Sequence, residues 1–159
     1  MIQNHLQIII VFLLCLFIGC QSAKQPDGLP ELVPFRLSLT QNGQPLSGAS
    51  VLLFSPDIPW TVTGTTDTKG TAPIVTYGKF FGSPQGKFKV VVIKNDVVGN
   101  LQEENRTTPI LIYSLVDPSL RNQNTTTLEV TVEKGKKSAT LDVGKPVRVL
   151  IDTIQPNGI

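Results

Sequence analysis

The sequence predicts an all-β domain carried behind an export signal. Three observations predict the strands. Phe35, Leu37 and Leu39 alternate with Arg36, Ser38 and Thr40, the period of a strand with one buried face. The same alternation returns at Leu128, Val130 and Val132 and again at Ala139, Leu141 and Val143. Two apolar runs, Ser50-Val51-Leu52-Leu53-Phe54-Ser55 and Phe88 to Ile93, have the length and β-prone content of buried strands.

The first alternating strand, beginning at Val33, runs straight into Asn42-Gly43, the dipeptide that suits a two-residue hairpin turn. Pro45 then favours a turn or edge position, and the run at 50–55 is expected deep in a sandwich. Trp60-Thr61-Val62-Thr63 is a short β-prone stretch. It leads into Gly64-Thr65-Thr66-Asp67-Thr68-Lys69-Gly70, where Asp67 with Gly70 three residues on fits a tight turn. Thr71 to Val75 is the expected next strand, and Phe88 to Ile93 the expected central one.

From Asn95 to Thr108 the periodicity is lost, which predicts a long loop. Pro109 to Tyr113 reads as a short strand or docked segment. Asp117 can cap a single helical turn with Pro118 at its first position. The last hairpin is predicted from Leu128–Glu133, a turn at Lys134-Gly135-Lys136-Lys137, and Ala139–Val143. The tail from Lys145 adds an edge strand.

The first twenty residues set the location. Every residue from Ile8 to Ile18 is apolar, the length of a signal-peptide core and short of the ~20 residues that span a bilayer as a helix. Phe17-Ile18-Gly19-Cys20 resembles the bacterial lipobox, with a small residue just before the cysteine. The resemblance implies cleavage between Gly19 and Cys20, acylation of the Cys20 thiol and amine, and anchoring by two or three acyl chains (palmitate among them), which hold stably where one does not. The alternative is an ordinary signal peptide cut near Ser22-Ala23, which discards Cys20. Gln21 to Glu31 is polar, with Pro26, Gly28 and Pro30, and reads as a flexible tether.

Two longer stretches resemble a known domain family. Gln41-Asn42-Gly43-Gln44-Pro45-Leu46-Ser47-Gly48-Ala49-Ser50-Val51, followed by Gly64-Thr65-Thr66-Asp67-Thr68-Lys69-Gly70, is similar to the carboxypeptidase regulatory-like domain. Ser83 to Val90 is similar to that family's P-x-G-x-Y-x-V segment, with Phe88 in the tyrosine position. The resemblance implies a seven- or eight-stranded antiparallel Greek-key sandwich of the transthyretin (prealbumin) type. It divides the chain into a signal peptide at 1–19, a lipidated cysteine and tether at 20–32, the sandwich at 33–144 and an edge strand or tail at 145–159.

Composition bounds the chemistry. Of 159 residues, 14 are Lys or Arg and 12 Asp or Glu, a net charge of +2 that is mild and dispersed, so nucleic acid is not an implied partner. Residues 20–159 are enough for one domain. With residues 1–19 removed, His5 and Cys15 are lost, and no histidine remains for acid–base or nucleophilic triads or for nitrogen-ligated metals. No cofactor or metal is expected, and the chain is expected not to be an enzyme. A hydrolase using carboxylates alone needs two acids about 5 to 9 Å apart in one cleft, whereas the acids here are scattered and only Glu103-Glu104 adjoin.

The expected role is a non-catalytic binding or structural one at the cell envelope, on the periplasmic or surface side with the outer membrane favoured by Gln21. The partner is an envelope protein or polysaccharide, and the membrane itself is engaged through Cys20. The alternative is a carbohydrate-binding module in which Trp60, Tyr77, Phe80 and Phe81, with Tyr113, stack on sugar rings; the plainer reading of these aromatics is packing. Asp67 alone makes a turn rather than a calcium site. Lys134, Lys136 and Lys137 make a basic tip whose plainest role is solvation, with anionic lipid or polysaccharide as the alternative. Asn105 and Asn124 each begin an Asn-x-Thr sequon, accidental in a bacterial chain.

Overall fold

Alternating burial along each strand decides which way the sheets face. The computed structural model describes residues 25–100 and 107–156; Gly19, Cys20, the signal segment, Glu103-Glu104 and Asn105 lie outside the described residues. The protein is all-β, with 46% strand and 3% helix. The described residues hold thirteen strand segments in three sheets, more than the seven or eight expected, because several strands break into pieces of two or three residues.

The first sheet is built on β1 (Arg36–Gln41). Phe35, Leu37 and Leu39 are buried, while Arg36 faces water. Asn42 and Gly43 both have positive φ, 52° and 77°, the mirror-image turn that matches strand twist. That turn returns the chain along β2 (Gln44–Pro45), which takes one edge of β1 beside β5 (Thr71–Pro73). The other edge takes β12 (Ser138–Asp142), and this pair is parallel, whereas every other named pairing is antiparallel.

The second sheet has six strands. Its order is β11 (Glu129–Val132), β8 (Gly86–Ile93), β3 (Ser50–Phe54), β4 (Val62–Thr65), β6 (Val75–Thr76) and β7 (Phe80–Phe81). Val51 and Leu53 of β3, Val62 of β4, Phe88, Val90 and Val92 of β8, and Val130 and Val132 of β11 are buried with Phe35, Leu37 and Leu39 in one core. This is sandwich packing, the two inner faces supplying alternate residues to a shared interior. Among the described residues, every member of that core falls between Val33 and Val143.

Three sequence expectations need correction here. The predicted last hairpin does not pair with itself: β11 pairs with β8 in one sheet and β12 with β1 in the other. Alternation only says that each strand has one buried face, and residues 133–137 serve as well for a sheet-to-sheet corner as for a hairpin. The expected strand at 71–75 likewise divides, with β5 on β1 and β6 on β4, and the fully buried Ile74 between them closes the sandwich edge. The 50–55 run is less deep than expected, since only alternate residues of β3 are buried.

The expected loop from Asn95 begins with a strand. β9 (Asn95–Val98) pairs with β10 (Ile110–Ser114), which also pairs with β13 (Val149–Ile154) to form a three-stranded arm. Val97 and Val98 are both exposed, so no buried face printed an alternation on the sequence. Between β10 and β11, the single helical turn at Pro118–Arg121 is capped as expected, the Asp117 carboxylate accepting from the Ser119 N–H at 2.8 Å.

Gly70 locks the first sheet. The Asp67 carboxylate accepts from the Lys69 and Thr71 N–H groups, at 2.8 and 2.9 Å, which bends the chain so that Gly70 sits at φ +73°. A Cβ there would stand 2.6 Å from the Leu39 carbonyl oxygen and 3.0 Å from the Leu46 nitrogen. Both neighbours are backbone and cannot swing away. Gly70→Ala is therefore expected to cost about 2–5 kcal/mol, combining left-handed strain with overpacking, as read from a denaturant melt with unchanged slope.

Candidate functional site

Strand directions gather distant residues at one end. β1 and β12 run in the same direction, and both start where the chain arrives from Val33, which is bridged to Ser83 by two backbone hydrogen bonds of 2.8 and 3.0 Å. β8 starts at this end too. The loop 55–61 between β3 and β4, the turn 77–79 between β6 and β7, and the corner 133–137 therefore all lie beside the tether. We call this the tether end; β9, which continues β8 past Lys94, leaves from the far end.

Trp60 and Tyr77 meet at the tether end, their ring centroids 5.3 Å apart and their planes at 73°. Tyr77 is half exposed and has φ +55°, with Gly78 after it at +63°. A left-handed conformation is uncommon for a bulky residue and costs about 1–3 kcal/mol. The Tyr77 N–H donates to the Thr61 carbonyl at 2.8 Å, which ties the turn to the Trp60 loop. Trp60 also lines a depression of about 250 Å³ with Pro30 and Glu31 of the tether.

The other aromatics are distributed differently from a single platform. Phe80 and Phe81 are successive on β7, so their side chains leave opposite faces; the Lys79 ammonium lies 5.8 Å from the Phe80 ring centre and the Arg36 guanidinium 5.6 Å from that of Phe81. Tyr113 is far from them on β10, under Arg148 at 3.6 Å, and Arg148 also pairs with Asp96 at 3.0 Å. The structure thus unites Trp60 with Tyr77, sets Phe80 and Phe81 beside cations at the same end, and leaves Tyr113 in the arm.

Basic residues frame the aromatics. Arg36 and Lys137 are brought together across the β1–β12 pair, the Arg36 N–H donating to the Lys137 carbonyl at 3.0 Å, and they line one depression of about 480 Å³ with Pro34 and Phe81. Lys134 reaches Glu31 of the tether at 3.8 Å and Lys136 reaches Glu133 at 3.8 Å, all four side chains being at least partly exposed. Exposed pairs of this kind contribute little and exchange partners readily. Sequence reasoning singled out the three lysines and the aromatics separately; what it missed was Lys79, for which the Tyr-Gly dipeptide of a mirror-image turn was the available signal, and Arg36, which only the β1–β12 pairing brings in.

The carboxylates that depart from ordinary behaviour serve turns. Asp142 accepts from the Gly43 N–H, the Thr40 hydroxyl and the Gly144 N–H at 2.9, 2.7 and 2.7 Å, and these bonds hold its carboxyl below the usual range. Asp67 is lowered chiefly by the Thr71 N–H, and Asp117 by the Ser119 N–H. Each is kept ionised, which is opposite to what a general acid needs. Among the described residues no three His, Cys, Asp or Glu side chains converge to hold a metal. A shallow depression of about 520 Å³ on the outer face of the six-stranded sheet, beside Leu52, Thr63 and Val75, is lined by no titratable side chain.

These lowered carboxyls fix the sign of the pH dependence. A group that binds its proton more weakly when folded stabilises the fold fully above its unfolded value of about 3.9, and that stabilisation is lost as the pH falls through the native value. Stability is expected to be level near neutrality and to fall below about pH 4, and Asp142→Asn is expected to flatten that acid limb, as followed by melting temperature against pH.

No protein-family model, curated protein or solved structure matches this chain. Its function is therefore argued from its own residues.

Proposed function

We propose that the chain is an exported bacterial lipoprotein. A carboxypeptidase regulatory-like, transthyretin-type sandwich is held at the cell envelope by acyl chains on Cys20 and serves a non-catalytic binding or structural role, outer-membrane location being favoured. The observation that carries this is the order of parts: an apolar core at 8–18, Gly19-Cys20 directly after it, a polar tether, and a sandwich whose first bridged residue is Val33. The strand order supports the Greek-key part. β3 and β8 are neighbours, yet the chain between them visits β4 and then crosses to β5 in the other sheet. Metabolic labelling with a fatty-acid analogue tests the proposal: label is expected on the native chain and lost in Cys20→Ala, and an unlabelled native chain would refute it.

The second reading, a carbohydrate-binding module, is favoured by one observation, the half-exposed Tyr77 against Trp60. Flat rings can stack on the apolar faces of sugars. A glycan array with the chain from Gln21 onward tests it, and any hit should vanish in Trp60→Ala.

A further inference from the structure

We infer that the tether end of the sandwich is a contact face for an anionic phospholipid surface, so that the domain sits down on the membrane instead of swinging free above it. This rests on the proposed anchoring at Cys20. The face joins two kinds of residue that interfacial contact requires. Trp60 and Tyr77 present amphipathic rings of the sort that settle at headgroup depth, and Arg36, Lys79, Lys134, Lys136 and Lys137 stand around them against Glu31, Asp57 and Glu133. Cations outnumber carboxylates at this end, although the chain as a whole carries only +2.

Tether length and attachment commit the face to lipid. Twelve residues separate Cys20 from Val33, a length that spans about 20 Å as a random coil, and Val33 enters the core at this same end, bridged to Ser83. Acyl chains on Cys20 therefore hold these rings and lysines near the headgroups at an effective concentration of order millimolar. Polybasic groups within a Debye length of an anionic leaflet, about 10 Å at 0.1 M salt, are attracted to it. Lys134 and Lys136 reach this surface by releasing the exposed partners Glu31 and Glu133.

The strained Tyr77 belongs to the same account. At φ +55° a glycine or asparagine would sit more easily, yet the position carries a half-exposed ring. One side of that ring packs on Trp60, and the exposed remainder is free to meet a surface outside the domain.

Trp60 is the only tryptophan of the chain, which makes the test site-specific. The mature chain expected from cleavage before Cys20, which holds every described core residue and only that one thiol, is coupled through it to a maleimide lipid in vesicles containing brominated phospholipid. With phosphatidylglycerol present, Trp60 emission is expected to shift to the blue and be quenched; with phosphatidylcholine alone, or in 0.5 M salt (roughly a 4 Å Debye length), it is expected to stay unquenched. Each lysine removed is expected to weaken contact about fivefold, so K134Q/K136Q/K137Q together weaken it about 100-fold. Tyr77→Asn is expected to lessen quenching while the melting temperature holds or rises, which a purely structural tyrosine would not do.

Equal quenching in both lipids, none in either, or an unaffected triple-lysine variant would overturn the inference. So would a Trp60 response to soluble neutral oligosaccharides matching that to anionic vesicles, which would assign the face to sugar. Because coupling replaces native acylation, the two proposals fail separately. An acylated native chain without quenching defeats the contact face alone, and quenching with an unacylated native chain defeats the anchor alone.

Discussion

Replacing Phe35 with alanine is expected to remove about 3–5 kcal/mol of stability, the usual cost of deleting a buried aromatic and leaving its cavity. Phe35 is wholly inaccessible to solvent and sits just before β1, the strand flanked by β5 on one side and β12 on the other. Its carbonyl accepts the Ile74 N–H at 3.0 Å, so the backbone at this point also holds the residue that closes the sandwich edge. The surroundings are strands on both sides, with little freedom to collapse into the void. A domain of this size has about 5–15 kcal/mol in all, so the variant is expected to melt about 9 °C lower or more, at roughly 3 °C or more per kcal/mol. Phe81→Ala is the control. Phe81 is 46% exposed, and its loss is expected to cost less than about 1 kcal/mol.

Replacing Cys20 with alanine is expected to abolish acyl anchoring of the chain. Each buried methylene contributes about 0.8 kcal/mol, and a single acyl chain binds only marginally, so stable anchoring needs the two or three chains that one modified cysteine carries. Among the described residues no helix is long and apolar enough to span a bilayer. The contact face at Trp60 and the lysines acts only once the anchor has raised the local concentration. The native chain is therefore expected in the detergent phase of a phase-separation assay, with Cys20→Ala in the aqueous phase or retained as uncut precursor. Cys15→Ala is expected to behave as wild type, since Leu14 rather than a small residue precedes it.

What the sequence disclosed was local. Phe35, Leu37 and Leu39 announced β1 because burial on one face writes a period of two, and Asn42-Gly43 announced its turn because both residues must take positive φ. Asp117-Pro118 announced its helical turn through capping chemistry. Pairing is a non-local fact that alternation does not encode. β11 and β12 look like one hairpin, but each finds a better partner elsewhere, in β8 and β1, at a separation that no alternation reports. β9 went unseen because its valines face water.

The candidate site was half legible for the same reason. Lys134, Lys136 and Lys137 are neighbours in sequence, and so are Phe80 and Phe81, but Arg36 joins them only because β1 and β12 run parallel from the same end. Trp60 and Tyr77 were grouped from composition, and the β4–β6 ladder is what brings them into contact. Tyr113 was grouped with them on composition alone, and the chain path takes it to the arm.

The most direct measurement is the intact mass of the native polypeptide purified from membranes, together with its first residue. The account predicts a chain that begins at Cys20 and carries a diacylglyceryl group, with or without a third acyl chain on the amine. A chain that begins at Ser22, Ala23 or any later residue, at its bare polypeptide mass, would contradict it.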